Sequence, residues 1–109
     1  MSKLDDLVDY LLREGLDDWT SMFSVVRTVE VEHPGGGRAA ARQLVRDLVE
    51  GGWMVPGDLG ASGFEPWDST PADSVRRILE DLDAHDWDVM HHSLFWFDNT
   101  PAGDERARG

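Results

Sequence analysis

Apolar residues in the first part of the chain recur at the spacing of one helical face. Leucine or valine stands at positions 4, 7, 8, 11 and 12, which is the pattern of an amphipathic helix. Ser2, with Asp5 three residues later, is expected to cap the start of this helix, and Gly15 is expected to end it. The pattern therefore predicts a first helix within residues 2–15.

Two further helices are predicted before residue 52. The second begins at Asp17 or Asp18 and ends at the Pro-Gly-rich loop 33–37, although its valines would also suit a strand. The third runs from Arg38 to Glu50 and ends at two glycines. The side chains expected to face inward are Trp19, Met22, Phe23, Val26 and Val29 on the second helix, and Ala41, Leu44, Val45, Leu48 and Val49 on the third.

The next stretch has the short apolar runs of a β-hairpin. Trp53–Val55 is predicted as a strand closed by Pro56 and Gly57, and residues 63–67 as a second short strand. Pro66 confines that second strand to a sheet edge or a strand end, because proline has no backbone N–H to donate.

Thr70 marks the start of a fourth helix. Pro71 follows at the first helical position and Asp73 completes a capping box. The helix is expected to end near Asp86. Its predicted inner face consists of Val75, Ile78, Leu79 and Leu82.

The remaining residues predict a closing strand and a short tail. The aromatic and β-branched run Val89–Phe97 favours a strand, residues 99–103 a turn, and residues 104–109 a frayed or disordered tail. The sequence thus predicts one α+β domain over residues 1–103. Three helices followed by a short hairpin resemble a winged helix, here extended by a fourth helix and a closing strand in a small antiparallel sheet.

Acidic residues dominate the charge of the chain. Asp and Glu number 22 against 10 Lys and Arg, which gives a formal net charge of −12. Such a field repels nucleic acid and anionic membranes and attracts basic partners, although solubility alone also explains it. The absence of cysteine excludes disulfides and thiolate metal sites. A charged N-terminus and the lack of an apolar run of about 20 residues predict a cytoplasmic protein.

Arg38, Arg42 and Arg46 form one stripe on the predicted third helix, because they are spaced at i, i+4 and i+8. In a winged helix this element enters the major groove, so the stripe favours DNA binding. The alternative is that these arginines pair with neighbouring acids, such as Glu50 or the carboxylates of the first helix. Three arginines are a weak electrostatic footprint in a chain of this charge, which favours the alternative.

A second candidate site is the stretch EDLDAHDWDVMHH at residues 80–92. The spacing of His85, Asp88 and His92 would suit a zinc or manganese site on one helical face. The helix is expected to end near Asp86, which would scatter that face, so no metal or other cofactor is predicted. The preferred interpretation is an acidic surface that steers a basic partner. Its acids are Glu80, Asp81, Asp83, Asp86 and Asp88.

Five tryptophans are more than a small core is expected to enclose. Alternation on the closing strand places Phe95 and Phe97 on one face, and Leu94 and Trp96 on the other. Exposed tryptophan beside carboxylates is typical of a protein-binding surface. Trp87 and Trp96 are therefore predicted to anchor a partner.

Three segments, LVRDLVEGGWMVPGDL, GFEPWDSTPADSVRRI and FWFDNTPAG, resemble small acidic actinobacterial proteins of the immunity type found with polymorphic toxin systems. The likeness covers residues 38–103 and includes a Trp67 that is expected to be buried. It implies a cytoplasmic, non-enzymatic protein that neutralises a cognate toxin by blocking its basic active-site groove. The alternative function is a winged-helix transcriptional regulator, and a homodimer stays open in either case.

Overall fold

Five helices and four short strands make up the part of the chain that the computed structural model describes, residues 3–89 and 95–109. In chain order they are α1 (Lys3–Glu14), β1 (Thr20–Ser21), α2 (Met22–Glu32), α3 (Gly37–Glu50), β2 (Met54–Gly60), β3 (Gly63–Pro66), α4 (Pro71–Ala84), β4 (Trp96–Asn99) and α5 (Pro101–Arg108). The predicted cap at Ser2, the histidines His91 and His92, and Leu94 lie outside the described residues.

The four described strands form one antiparallel sheet in the order β1-β4-β2-β3. β2 and β3 are a hairpin in which Gly60 pairs with Gly63, and Gly63 has a φ of 108° that favours glycine. β4 lies between β1 and β2. The predicted α+β class, with a hairpin and a closing strand in a small antiparallel sheet, is confirmed. The likeness to a winged helix stays a prediction.

The core lies between one face of the sheet and the helices. Phe97 on β4 and Met54 on β2 are fully buried there. The buried faces of α1, α3 and α4 are the ones that the apolar spacing predicts, and their burial is the main source of stability. They include Leu7, Val8, Leu11 and Leu12 on α1, Ala41, Leu44, Val45, Leu48 and Val49 on α3, and Val75, Ile78, Leu79 and Leu82 on α4, and Ala40 and Ser74 are buried as well.

The opposite face of the sheet is only partly covered. Side chains alternate between the two faces along a strand, and paired residues share a face. Because Phe97 is buried on the inner face, its neighbour Trp96 lies on the outer face. Val55 and Leu59 lie on the same side and are exposed. Phe64 pairs with Leu59 and completes this surface. We call these four residues, Val55, Leu59, Phe64 and Trp96, the outer sheet face.

The second helix begins later than the sequence pattern predicts. β1 pairs with β4, and α2 then starts at Met22, where the Ser21 hydroxyl accepts a hydrogen bond from the Ser24 N–H at 3.1 Å. Trp19 lies before the helix, and Phe23 lies off its buried face. Each exposes 39% of its surface, so the prediction that they face the core is wrong. The buried residues of α2 are Met22, Val25 and Val29.

Strand β2 continues through the Pro-Gly pair at which the sequence pattern predicts its end. Pro56 removes one donor from the ladder, yet the strand runs on to residue 60. A Cβ atom on Gly57 would overlap the Glu65 carbonyl oxygen and lie 2.7 Å from the Phe64 ring, so the strand requires glycine there. The predicted end at 56–57 is wrong. The prediction that Pro66 restricts its strand to an edge is confirmed.

The predicted turn and frayed tail form a helix instead. α5 follows Thr100, whose hydroxyl accepts a hydrogen bond from the Gly103 N–H at 3.0 Å, and Pro101 occupies its first turn. The helix packs on α1, where Arg106 donates to the Asp9 carboxylate at 2.7 Å. The folded domain therefore continues beyond residue 103 to include residues 104–108.

Candidate functional site

The predicted DNA-binding arginines and the predicted partner-binding acids meet in one cluster. Arg38 donates to the Asp86 carboxylate at 3.0 Å and to the Asp86 carbonyl at 3.2 Å. Arg42, one turn later on α3, pairs with Asp83. Both guanidinium groups lie over the Trp87 indole, 5.7 and 5.4 Å from its ring centre. These distances are in the range of cation–π attraction.

Trp87 is held inside this arginine cluster. Its indole N–H donates to the Asp83 carboxylate at 2.9 Å, and its backbone N–H donates to the Leu82 carbonyl at 2.7 Å. Asp86 and Trp87 have left-handed backbone, with φ of 50° and 59°, where the chain leaves α4. Trp87 exposes 9% of its surface and belongs to the core. It therefore exposes little surface here, and its role as an anchor stays a prediction.

The arginine cluster stabilises the charged form of Asp83. The indole N–H of Trp87 lowers the pKa of Asp83 below its ordinary value, and the hydrogen bond and charge of Arg42 lower it further, while burial opposes the shift. Two of the three arginines in the predicted stripe thus bind acids of their own chain. Their partners lie at the end of α4 and not on α1, the helix whose carboxylates the sequence interpretation named.

The other predicted site residues differ in their exposure. Glu80 and Asp88 are exposed and Asp81 is half-buried. Arg46 is exposed on α3, where it lines a groove with α1 and α5. Trp96 is half-buried on β4, within the outer sheet face. The role of these residues in binding a partner stays a prediction.

His85 lies at the end of α4 and contacts its own helix. Its Nδ1 is 2.9 Å from the Asp81 carbonyl oxygen and 3.6 Å from the Asp81 carboxylate. His92, the third ligand of the metal site considered from the sequence, lies outside the described residues. Within residues 3–89 and 95–109, no group of three or more His, Asp or Glu side chains could hold a metal ion.

An open cavity of about 400 Å³ lies between the end of α1, residues 17–20 and α2, where the sequence predicts no site. We call it the aromatic groove, because three partly exposed aromatic side chains line it. Three carboxylates and one arginine line it as well. The aromatic side chains are Tyr10, Trp19 and Phe23, and the charged ones are Glu14, Asp17, Asp18 and Arg27.

Local contacts position the side chains of the aromatic groove. The backbone N–H of Trp19 donates to the Asp18 carboxylate at 2.8 Å, and the Trp19 indole stacks on Phe64, with ring centres 6.0 Å apart. The Tyr10 hydroxyl donates to the Glu14 carboxylate at 3.1 Å. This hydrogen bond and the charge of Glu14 raise the pKa of Tyr10 above its usual value, so the phenol stays neutral. Through Phe64 the groove borders the outer sheet face.

The segment DDWTSMFS contained a signal for this groove. Ser21 precedes Ser24 by three residues, the spacing of a serine helix cap. A helix that starts there leaves Asp17, Asp18 and Trp19 outside it. A tryptophan directly beside acids is the same arrangement that the sequence interpretation assigned to residues 86–88.

A comparison with models of protein families, with curated proteins and with solved structures finds no match for this chain. Among the described residues, no helix has both the length and the apolar character needed to cross a membrane. The aromatic groove and the arginine cluster are therefore the features on which a proposal of function can rest.

Proposed function

We propose that this protein is a non-enzymatic acidic binding protein of the cytoplasm, and specifically an immunity protein that neutralises a bacterial toxin. The aromatic groove is the observation that carries the proposal, because exposed aromatic side chains lie there beside three carboxylates. Aromatic side chains supply much of the binding energy at protein interfaces, and charges steer the encounter. The net charge of −12 adds a field that attracts a basic partner.

The proposed mechanism is blockade of a basic groove, with no chemical step and no cofactor. A toxin that cleaves nucleic acid needs basic residues to hold phosphate groups, and acidic side chains can occupy the same residues. The carboxylates of the aromatic groove steer the encounter and its aromatic side chains hold the complex. Trp96 remains a candidate anchor, because it lies on the outer sheet face. That face borders the aromatic groove through the stacking of Trp19 on Phe64.

A winged-helix DNA-binding regulator is the less supported alternative. Arg38 and Arg42 already bind Asp86 and Asp83, so DNA would have to displace these carboxylates to reach them. A gel-shift assay at low salt with a duplex of arbitrary sequence distinguishes the two functions, since any electrostatic DNA binder shifts it there. A shift would favour the regulator, and its absence would favour the acidic binding protein.

The deciding experiment begins with the protein that co-purifies with this chain from its native cell. That partner is expressed in a test host with and without this chain, and growth is followed. The proposal expects the partner alone to arrest growth and co-expression to restore it, with a stable complex isolated from the rescued cells. A partner that is harmless alone, or equally toxic in the complex, would contradict the immunity role.

Association rates measured at low and high salt test the steering charges. The groove variant replaces the three groove carboxylates by their amides, and the control makes the changes Asp68→Asn, Glu80→Gln and Glu105→Gln at exposed positions. Both variants lose three negative charges. The groove variant should associate more slowly than the control at low salt and depend less on salt. If the control variant associates more slowly than the groove variant, the steering instead comes from other acids, including the α4 acids predicted from the sequence.

A further inference from the structure

Three tryptophans of this protein share an arginine over the indole ring and a carboxylate that binds either the indole N–H or that arginine. At Trp87 the carboxylate is Asp83, which accepts from the indole N–H, and the arginines lie 5.4 and 5.7 Å from the ring centre. Trp67 donates to Asp58 at 3.0 Å and has Arg77 at 3.7 Å from its ring centre.

Trp53 is the third example. Arg106 lies 4.7 Å from its ring centre and is bound to the Asp9 carboxylate at 2.7 Å. In each case the carboxylate binds either the indole N–H or the arginine that lies over the ring. Charge-assisted hydrogen bonding is thereby combined with cation–π attraction. At Trp53 and Trp87 a carboxylate and an indole thus hold the same arginine, and at Trp67 the indole holds Arg77 while its N–H binds Asp58.

Trp19 has the indole and the carboxylates of this arrangement without the arginine. Asp18 accepts from the backbone N–H of Trp19, and Asp18, Glu14 and Asp17 all line the same groove as the indole. No arginine of the described residues lies over the Trp19 ring. Arg27 also lines the groove, but its guanidinium lies 3.9 Å from the Glu30 carboxylate on the next turn of α2.

We propose that the aromatic groove binds one arginine side chain of the partner, which places at Trp19 an arginine like those over Trp53, Trp67 and Trp87. The inference rests on the proposed function and specifies the chemistry of its central contact. Arginine fits better than lysine, because its planar guanidinium can stack on a ring and bind a carboxylate with two parallel hydrogen bonds. The stacking of Trp19 on Phe64 orders the indole before binding, which reduces the entropy lost in the complex.

The charge and size of the groove agree with this ligand. Three carboxylates outnumber the single Arg27, so the lining attracts a cation. The cavity volume of about 400 Å³ lies within the range of roughly 300–1,000 Å³ found for small-ligand pockets, which is ample for one long side chain.

The test uses the blocked tripeptide acetyl-Gly-Arg-Gly-amide as probe and the same peptide with citrulline, a neutral isostere of arginine, as control. Indole N–H signals of the intact ¹⁵N-labelled protein are followed by NMR, and the Trp19 signal is identified by its loss in Trp19→Phe. The arginine peptide should shift the Trp19 signal in a saturable way with millimolar affinity, while the citrulline peptide leaves it unchanged. Equal shifts with both peptides, or no saturable shift with arginine, would overturn the proposal.

Two variants test the electrostatic part with the same peptide. Asp17→Asn with Asp18→Asn keeps an acceptor oxygen for the backbone N–H of Trp19 and removes two charges, so binding should weaken about fivefold. Arg27→Gln removes the competing cation and should strengthen binding. Unchanged affinity in both variants would refute the proposal, and the four other indole signals report whether each variant is folded.

Failure of this inference differs measurably from failure of the proposed function. If a toxic partner is neutralised equally well by Trp19→Ala, the arginine site is wrong and the immunity role is unaffected. If the arginine peptide binds at Trp19 but the co-purified partner is harmless, the cation site is supported and the immunity role is wrong.

Discussion

Replacement of Arg106 tests whether the C-terminal segment belongs to the folded core. Its Nε donates to the Asp9 carboxylate at 2.7 Å, and its guanidinium lies 4.7 Å from the ring centre of Trp53. The side chains of Arg106 and Asp9 expose 26% and 30% of their surface, so water screens their attraction less than it does at an open surface. Arg106→Ala removes both contacts, whereas Arg106→Lys keeps the charge and loses the Nε hydrogen bond.

The expected size of the effect follows from these two contacts. A hydrogen bond between charged groups contributes about 1.5–3 kcal/mol, and a cation–π contact at an exposed site contributes about 0.5–1 kcal/mol. Because part of each side chain remains in water, we take the lower end and expect Arg106→Ala to reduce the free energy of unfolding by about 2 kcal/mol. In a domain of this length that lowers Tm by roughly 8 °C.

Urea unfolding followed by tryptophan fluorescence measures this loss, and a double-mutant cycle with Asp9→Ala isolates the pair. The coupling energy should be at least about 1 kcal/mol, with Arg106→Lys lying between the wild type and Arg106→Ala. Deletion of residues 101–109 should be at least as damaging as Arg106→Ala. A coupling below about 0.3 kcal/mol, with unchanged stability after the deletion, would show that the segment is frayed and that α5 adds nothing to the fold.

Helices with local signals were predictable from the sequence. Apolar spacing predicts α1, α3 and α4, and the capping residues at Thr70 place the start of α4 within one residue. The Thr-Pro pair at 100–101 carries the same signal. No apolar periodicity follows it, and Gly103 disfavours a helix. α5 depends on contacts with α1 at the other end of the chain, such as Arg106 with Asp9, which no local pattern reveals.

The start of α2 was mispredicted because pairing in the sheet overrides a local helical pattern. Thr20 and Ser21 pair with Phe97 and Trp96, which lie far away in sequence. This pairing holds the backbone extended up to the Ser21 cap. Trp19 is consequently placed outside the helix and beside the groove, so the error in one helix boundary also concealed the aromatic groove.

The sequence identified the residues of the arginine cluster but divided them between two competing sites. The spacing of Arg38 and Arg42 along α3, and the acids near the end of α4, were both correctly recognised as patterns. Arg38 and Asp86 are 48 residues apart, so only the packing of α3 on α4 shows that they neutralise each other. Within the described residues, the aromatic groove at Trp19 is an open surface that combines aromatic and acidic side chains.

Further predictions concern three single positions. A Cβ atom on Gly15 would lie 2.8 Å from the Asn99 amide carbon, so Gly15→Ala should displace that amide and cost about 1–3 kcal/mol of stability in urea unfolding. An unchanged midpoint would show that the amide has room to move. Trp87→Phe keeps an aromatic ring but loses the indole N–H, so the pKa of Asp83 should rise towards its ordinary value in an NMR titration, and a static pKa would contradict the assigned hydrogen bond. Burial raises the pKa of Asp98, so the folded protein binds this proton more tightly than the unfolded chain does. Protonation of Asp98 therefore stabilises the fold at pH values below the pKa that Asp98 has in the unfolded chain. This contribution is lost as the pH rises through the pKa that Asp98 has in the folded protein. Asp98→Asn should therefore raise Tm more at pH 7 than at pH 3. The same change in Tm at both pH values would show that burial of this carboxylate is not the cause of the shift.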